Sequence, residues 1–259
     1  MRYALISDVH GNLPALEAVL RDIASRGDTM ATYHLGDLVG YAPWPNEVVE
    51  RLITAGITGV AGNYDSTVAT DYKHCGCKYE DPHQEELSHL SYAWTRQHVS
   101  EKTRAYLGSL PFRIDLRPLG GHSTGPTVTL VHGNHALNTV YVHAERPDSF
   151  LRGMAASLGA TAGDIVCFGH THIPWYRVVE DVHFVNTGSV GRPKDGDWRA
   201  SHVLVDVTSS GVAVEIVRVE YDVQAAARGV LESDLPDELA EQLRSGGVVS
   251  EPTRPSGFA

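Results

Sequence analysis

The chain has 259 residues and carries 32 Asp and Glu against 21 Lys and Arg, a formal net charge of −11. That balance excludes a protein that grips nucleic acid through an overall positive field, but not an acidic crevice that reaches phosphate through bound cations, because a cation reverses the local charge logic. A hydrophobic content of 42% excludes global disorder, three cysteines exclude a disulfide framework, and fourteen histidines stand out.

In chain order, residues 3–7 form a short apolar run that reads as a buried strand. The polar turn Asp8-Val9-His10-Gly11-Asn12 follows, and residues 13–26 read as a helix. Asn12 is placed to cap it, Pro14 sits in its first turn, and Leu16, Val19, Leu20 and Ile23 share one face. Residues 32–35 are a second strand ended by Gly36-Asp37. A Pro-rich loop from Tyr41 to Pro45 leads into a helix over 46–55, and residues 57–61 are a third strand ended by Gly62-Asn63-Tyr64-Asp65. Strand, polar turn and helix alternate as in a layered α/β sheet.

Residues 66–110 change character, with His74-Cys75-Gly76-Cys77 followed by helices over 85–97 and 100–110, and are expected to be an inserted lid. The second half returns to strands over 112–116, 127–132, 165–169, 175–179, 182–186, 202–207 and 212–219, with a helix over 149–158. Several connections are short, so this half is partly antiparallel or mixed. Residues 120–126 read as a flexible loop, residues 221–232 and 236–243 as helices, and residues 245–259 as a disordered tail. With neither repeat nor linker, residues 1–244 are expected to form one domain. No run approaches the roughly 18 apolar residues of a membrane span. The short apolar start lacks a signal-peptide pattern, so a cytoplasmic location is expected.

Five polar clusters stand directly after expected strands: Asp8-Val9-His10, Gly36-Asp37, Gly62-Asn63-Tyr64-Asp65, His132-Gly133-Asn134-His135 and Gly169-His170-Thr171-His172. Residues just past the carboxyl ends of strands converge on one crevice in an open α/β sheet. Taken singly, Asp8 and Asn63 read equally well as helix caps, but capping does not explain His at strand ends. Mixed oxygen and imidazole ligands suit Mn, Fe, Zn or Co.

These clusters, with Asn186-Thr187-Gly188-Ser189-Val190-Gly191-Arg192-Pro193 near their end, resemble the calcineurin-like metallophosphoesterase superfamily, in its small bacterial and archaeal phosphodiesterase branch. The resemblance spans residues 3–193 and implies a four-layer α/β/β/α sandwich. It implies two divalent ions: Asp8, His10 and His172 for the first, Asn63, His132 and His170 for the second, and Asp37 bridging. It also implies hydrolysis of a small phosphoester or nucleotide-type phosphoanhydride, with a hydroxide shared by the two cations attacking phosphorus, and so needs no extended nucleic-acid groove. Oligomeric state stays open.

The chain departs from the family at Tyr64, where His is usual and is credited with helping the leaving oxygen. A phenol titrating near 10 is a poorer acid at neutral pH, so leaving groups of low pKa are expected to be favoured. His135 is a candidate replacement acid, and a structural role for the Tyr64 ring is the other reading. Arg192, with Lys194, is a candidate phosphate contact or an ordinary solvated pair. Tyr41, with Trp44, is a candidate platform for a nucleobase, or simply packs its loop. The Cys75–Cys77 segment reads as a surface loop with two reduced thiols, as an extra metal site completed by His83 or His89, or as a redox-sensitive pair. Two rivals to hydrolysis are a scaffold that kept the fold and a metal or redox sensor acting through Cys75 and Cys77.

Overall fold

In the computed structural model, which describes residues 1–79, 81–117, 125–208 and 211–248, the pleat of β1 (Arg2–Ile6) sets the layering. Successive side chains of a strand point to opposite faces. Tyr3 and Leu5 join one buried cluster, and Ala4 and Ile6 join another. β1 pairs in parallel with β2 (Ala31–His34), which pairs in parallel with β3 (Thr58–Gly59). On its other side it pairs antiparallel with β9 (Ala200–Thr208), which is followed by β10 (Gly211–Val219). The second sheet has the order β4 (Ile114–Leu116), β5 (Val128–Leu130), β6 (Ile165–Phe168), β8 (Val182–Asn186), β7 (Trp175–Val179), with the β5–β6 and β6–β8 pairs parallel.

The sheets face one another across Leu5, Leu130, Ile165, Cys167, Val185 and Val203, all fully buried. Burying each aliphatic side chain of this kind contributes about 1.5–3 kcal/mol. The outer face of the first sheet carries α1 (Leu13–Arg26), α2 (Pro45–Thr54), α7 (Val223–Leu231) and α8 (Glu238–Ser245). The outer face of the second carries α6 (Asp148–Leu158), whose Leu151, Met154 and Leu158 pack on Val166, Phe168 and Phe184. The result is the expected four-layer α/β/β/α sandwich. No helix among the described residues is long and apolar enough to cross a membrane.

Several expectations need correction. β3 is only two residues long because the chain leaves the sheet at once, with Ala61 N–H donating to the Pro111 carbonyl at 2.8 Å. It enters a short helix, α3 (Asn63–Ala69), whose start is fixed by Asp65 accepting Gly62 N–H at 2.9 Å. α4 (Pro82–His98) and α5 (Glu101–Ser109), within the stretch expected to be an inserted lid, pack into the helical layer of the first sheet. Leu87, Tyr92 and Leu107 share the core with α1 and α2, and Asn46 ties the α4–α5 junction to α2 by donating to the His98 carbonyl at 2.9 Å. Part of the loop expected over 120–126, and residues 249–259 of the expected tail, lie outside the described residues. Residues 245–248 do not begin a disordered tail, because Gly196 N–H donates to the Gly246 carbonyl at 3.0 Å.

Candidate metal centre

Main-chain bonds tie the carboxyl end of β1 to that of β2, the segment after β8 to β1, and the end of β6 to that of β5. Asp8 N–H donates to the Gly36 carbonyl at 2.9 Å, Val190 N–H to the Ser7 carbonyl at 2.9 Å, and Gly169 N–H to the His132 carbonyl at 2.9 Å. Asp8, His10, Asp37, His170 and His172 all have positive φ, between 48° and 66°. A non-glycine residue there is strained, and such residues gather at functional sites. The turns are also tight: a Cβ on Gly62 would stand 2.1 Å from Asp37 Oδ1.

These turns bring six of the seven expected ligands into two buried groups, Asp8, His10 and His172 in one and Asp37, His132 and His170 in the other. Within each group the donor atoms all lie within 4.8 Å of one another. Asp8 Oδ1 is 3.2 Å from His172 Nε2, and Asp37 Oδ2 is 3.5 Å from His132 Nε2 and 3.8 Å from His10 Nε2. The seventh, Asn63, brings Oδ1 to 3.2 Å from His132 Nε2.

The donor set fits divalent cations. His10 Nδ1 donates to the Val39 carbonyl at 3.0 Å, His132 Nδ1 to the Leu35 carbonyl at 2.7 Å and His172 Nδ1 to the Arg192 carbonyl at 2.5 Å. A ring that donates from Nδ1 presents an Nε2 lone pair to a metal. His10 Nε2 and His172 Nε2 face one another at 3.2 Å. Burial and the neighbouring His172 push His10 down to about 3, and burial pushes His172 well below the usual range, so neither ring carries a proton between them. Asp8 Oδ2 accepts from Ser7 Oγ at 2.6 Å and His170 N–H at 3.0 Å, which leaves Oδ1 buried with no hydrogen-bond partner among the described residues. Lone pairs aimed at one another and an orphaned buried carboxylate oxygen are what a cation satisfies. In the other group burial opposes charge on His132, but Asp37, Asp8 and the Leu35 carbonyl together outweigh it and hold the ring up to about 9, so a metal displaces a proton to reach Nε2.

The site has a supporting layer that sequence reasoning missed. The Asp65 carboxylate accepts the N–H groups of Asp37 at 2.7 Å and Leu38 at 2.9 Å besides that of Gly62, fixing the turn that carries Asp37. Ser189 Oγ donates to the Asp8 carbonyl at 2.7 Å, and Asn186 Nδ2 donates to the Gly169 carbonyl at 2.9 Å. The segment following β8 thus buttresses both metal-facing turns.

The expected substrate and acid residues fare differently. The buried Tyr64 hydroxyl is 3.1 Å from Ser88 Oγ, which also receives the hydroxyls of Tyr41 and Tyr79. Burial pushes Tyr64 well above the usual phenol range, so its placement favours a structural hydroxyl over a catalytic acid. Tyr41 lines the cavity, but its ring is buried and the Arg192 guanidinium, 3.9 Å above it, covers one of the faces on which a nucleobase would stack. Arg192 also lines the cavity, and it donates to Gln242 Oε1 on α8 at 2.6 Å. Trp44 packs on Gly229 of α7. His135 is exposed and does not line the cavity over the metal groups, because the chain turns away after Asn134, whose N–H donates to the Leu137 carbonyl at 3.1 Å.

The cavity is lined by Lys194, Tyr79, Tyr141 and Cys77 as well as by Tyr41, Tyr64 and Arg192, alongside Asp37 and His170. Tyr141 stacks on the His170 ring at 4.3 Å. The Lys194 ammonium has no ion-pair partner among the described residues, and burial and Arg192 push it down to about 8. The His74-Cys75-Gly76-Cys77 loop keeps Gly76 exposed and turns its two free thiols inward. Cys75 is buried, Cys77 reaches the cavity, and neither is grouped with His83, which pairs with Glu238 at 2.7 Å. No periodicity marks isolated loop aromatics such as Tyr79 and Tyr141.

Residues 1–210 match the family model for the calcineurin-like phosphoesterase superfamily domain. An uncharacterized protein of Methanocaldococcus jannaschii is 32% identical over 264 residues, covering 94% of this chain and 97% of that one. The phosphodiesterase YfcE of Escherichia coli is 27% identical over 216 residues, covering 80% of this chain and 88% of that one. The crystal structure of a metallophosphoesterase from Sphaerobacter thermophilus matches with a TM-score of 0.73 at 29% identity, covering 95% of this chain and 99% of that chain.

Proposed function

The chain belongs to the calcineurin-like phosphoesterase superfamily, and from that premise we propose that it is a dinuclear-metal hydrolase of phosphodiesters or nucleotide-type phosphoanhydrides. The observation that carries the reading is Asp37, whose Oδ2 stands 3.8 Å from His10 Nε2 and 3.5 Å from His132 Nε2, so that one carboxylate serves both groups. Asp8, His10 and His172 would hold one ion, Asn63, His132 and His170 the other, and Asp37 both. Mn, Fe, Zn and Co all suit this set. When bound, such a pair makes water nucleophilic at neutral pH and neutralises charge on the phosphoryl oxygens.

The rest falls to the chain's own side chains. Lys194 presents an unpaired ammonium to the cavity and attracts the phosphate. Tyr79 and Tyr141 line the same cavity and take up space beside the metal groups, which favours a slender ester over a duplex. With the Tyr64 hydroxyl tied to Ser88 and His135 outside the cavity, neither expected acid is poised to protonate a leaving oxygen. Aryl and phosphoanhydride leaving groups, which depart without a proton, are therefore preferred over alkoxides. The name of the YfcE relative supports the diester class.

The test is a screen of metal against substrate on chelator-stripped protein. Metal-dependent turnover of aryl diesters or dinucleoside polyphosphates, well above that of alkyl monoesters, is expected. A chain that takes up two ions yet hydrolyses no class would instead be a scaffold on this fold.

A further inference from the structure

We propose that Cys77 is a positioning residue for the second metal group: its thiol and the Cys75 carbonyl clamp the Asn63 amide so that Oδ1 faces His132. The inference rests on the dinuclear reading above. Asn63 sits at the start of α3, and its side chain has two chemically different ends. Nδ2 donates to the Cys75 carbonyl at 3.1 Å and to Cys77 Sγ at 3.1 Å, while Oδ1 lies 3.2 Å from His132 Nε2. A carbonyl accepts and cannot donate, so the NH2 end belongs at Cys75 and the oxygen at the metal group. Two acceptors use both amide protons, which removes the freedom of the amide to turn over or swing away.

The loop is shaped for this task. The Gly76 φ of 77° is one that other residues adopt with strain, and its N–H donates back to His74 Nδ1 at 3.1 Å. That turn presents the carbonyl of residue 75 and the side chain of residue 77 to the same amide. The two cysteines thus contribute different atoms, one a main-chain oxygen and the other a sulfur. The Cys75 thiol interacts with the side chain of Cys77 and stands 3.8 Å from both Ser88 Oγ and the Tyr79 hydroxyl. Cys77 also lines the cavity beside Asp37 and His170, so it stands at the metal group without forming a separate site. Partners that orient a metal ligand are worth about 10–100-fold in metal affinity.

The experiment is calorimetric titration of chelator-stripped protein with Mn(II), alongside thermal melts of the same samples. The wild-type chain is expected to take up two ions. Cys77→Ala is expected to bind one of the two about 10–100-fold more weakly, with the other unchanged. Cys77→Ser keeps an acceptor and is expected to recover much of the loss. Cys77→Val fills the space without an acceptor and, should the Ala variant melt early, carries the same expectation as Ala. Wild-type affinities in both Cys77→Ala and Cys77→Val, or a Ser variant as weak as Ala, would overturn the inference alone. A wild-type chain taking up fewer than two ions would overturn the dinuclear reading and this inference with it.

Discussion

Gly169 stands immediately before His170, where the β6 turn meets the β1 turn. A Cβ at this position would lie 2.1 Å from Ser7 Oγ and 2.5 Å from Asp8 Oδ2, both inside the 3.0 Å that real Cβ contacts respect. Rotating one hydroxyl does not relieve the clash. Ser7 Oγ already donates to that same Oδ2 at 2.6 Å, and the His170 N–H holds it from the other side at 3.0 Å. The bonded trio must move together, and overpacking of this kind costs about 1–3 kcal/mol. At about 2–4 °C per kcal/mol for a domain of this size, Gly169→Ala lowers Tm by roughly 2–12 °C. The same displacement carries Asp8 Oδ1 away from His172 Nε2, now at 3.2 Å, and, through the His170 N–H, pulls on a ligand of the Asn63 group, so both groups lose metal affinity. Thermal melts of stripped protein and metal titration read the two effects separately. A variant that melts with the wild type and takes up two ions at wild-type affinity would refute the reasoning.

Tyr64→His returns a ring that titrates near neutrality to the position beside His10, whose centroid is 5.4 Å away, and should raise alkyl-ester turnover relative to aryl-ester turnover; an unchanged ratio sinks the leaving-group argument. His34 is buried and pushed down to about 3 by its burial, against about 6.5 in the unfolded chain. The unfolded state alone takes up the proton between those values, so stability is full above pH 6.5 and falls as pH drops toward 3, by up to about 5 kcal/mol. Tm measured from pH 7 down to pH 4 should fall less steeply in His34→Leu, and parallel curves would contradict that account.

What the sequence made legible was the chemistry at strand ends. Asp8 and His10, Asp37, His132, and His170 and His172 each follow an apolar run, and parallel strands deliver such turns to one edge whatever the details of pairing. The pairing itself was not legible. β9 lies against β1 across some two hundred residues, and nothing local to Ser201–Val207 names that neighbour. Asp65 was visible within Gly-Asn-Tyr-Asp, yet a carboxylate that accepts three main-chain N–H groups reads no differently in sequence from one that binds metal. His135 failed for a geometric reason: a spacing of three residues brings side chains together on a helix, and this segment is a turn whose tip faces solvent. Cys75 and Cys77 failed because cysteine patterns are read through sulfur, whereas the first cysteine contributes its carbonyl.

The supports of the metal groups are largely main chain, and this shapes how the protein responds to metal removal. The acceptors that orient His10, His132 and His172 are the carbonyls of Val39, Leu35 and Arg192, so the donor rings are aimed by the path of the backbone. That path holds Asp8, His10, Asp37, His170 and His172 in left-handed conformations, each costing of the order of 1–3 kcal/mol, and leaves Asp8 Oδ1 buried without a hydrogen-bond partner among the described residues. The strain belongs to the folded state alone, and so does the complete donor set, because the unfolded chain scatters its ligands over more than a hundred residues. Ions that bind only the folded chain therefore offset the strain directly: at a thousand times its Kd, each adds about 4 kcal/mol, or roughly 8–16 °C in Tm. Melting curves in excess chelator and in excess Mn(II) should differ by at least one such step, and by two where both groups fill. Coincident curves would mean that these turns are stable for their own sake, and the left-handed residues would then need an explanation other than metal.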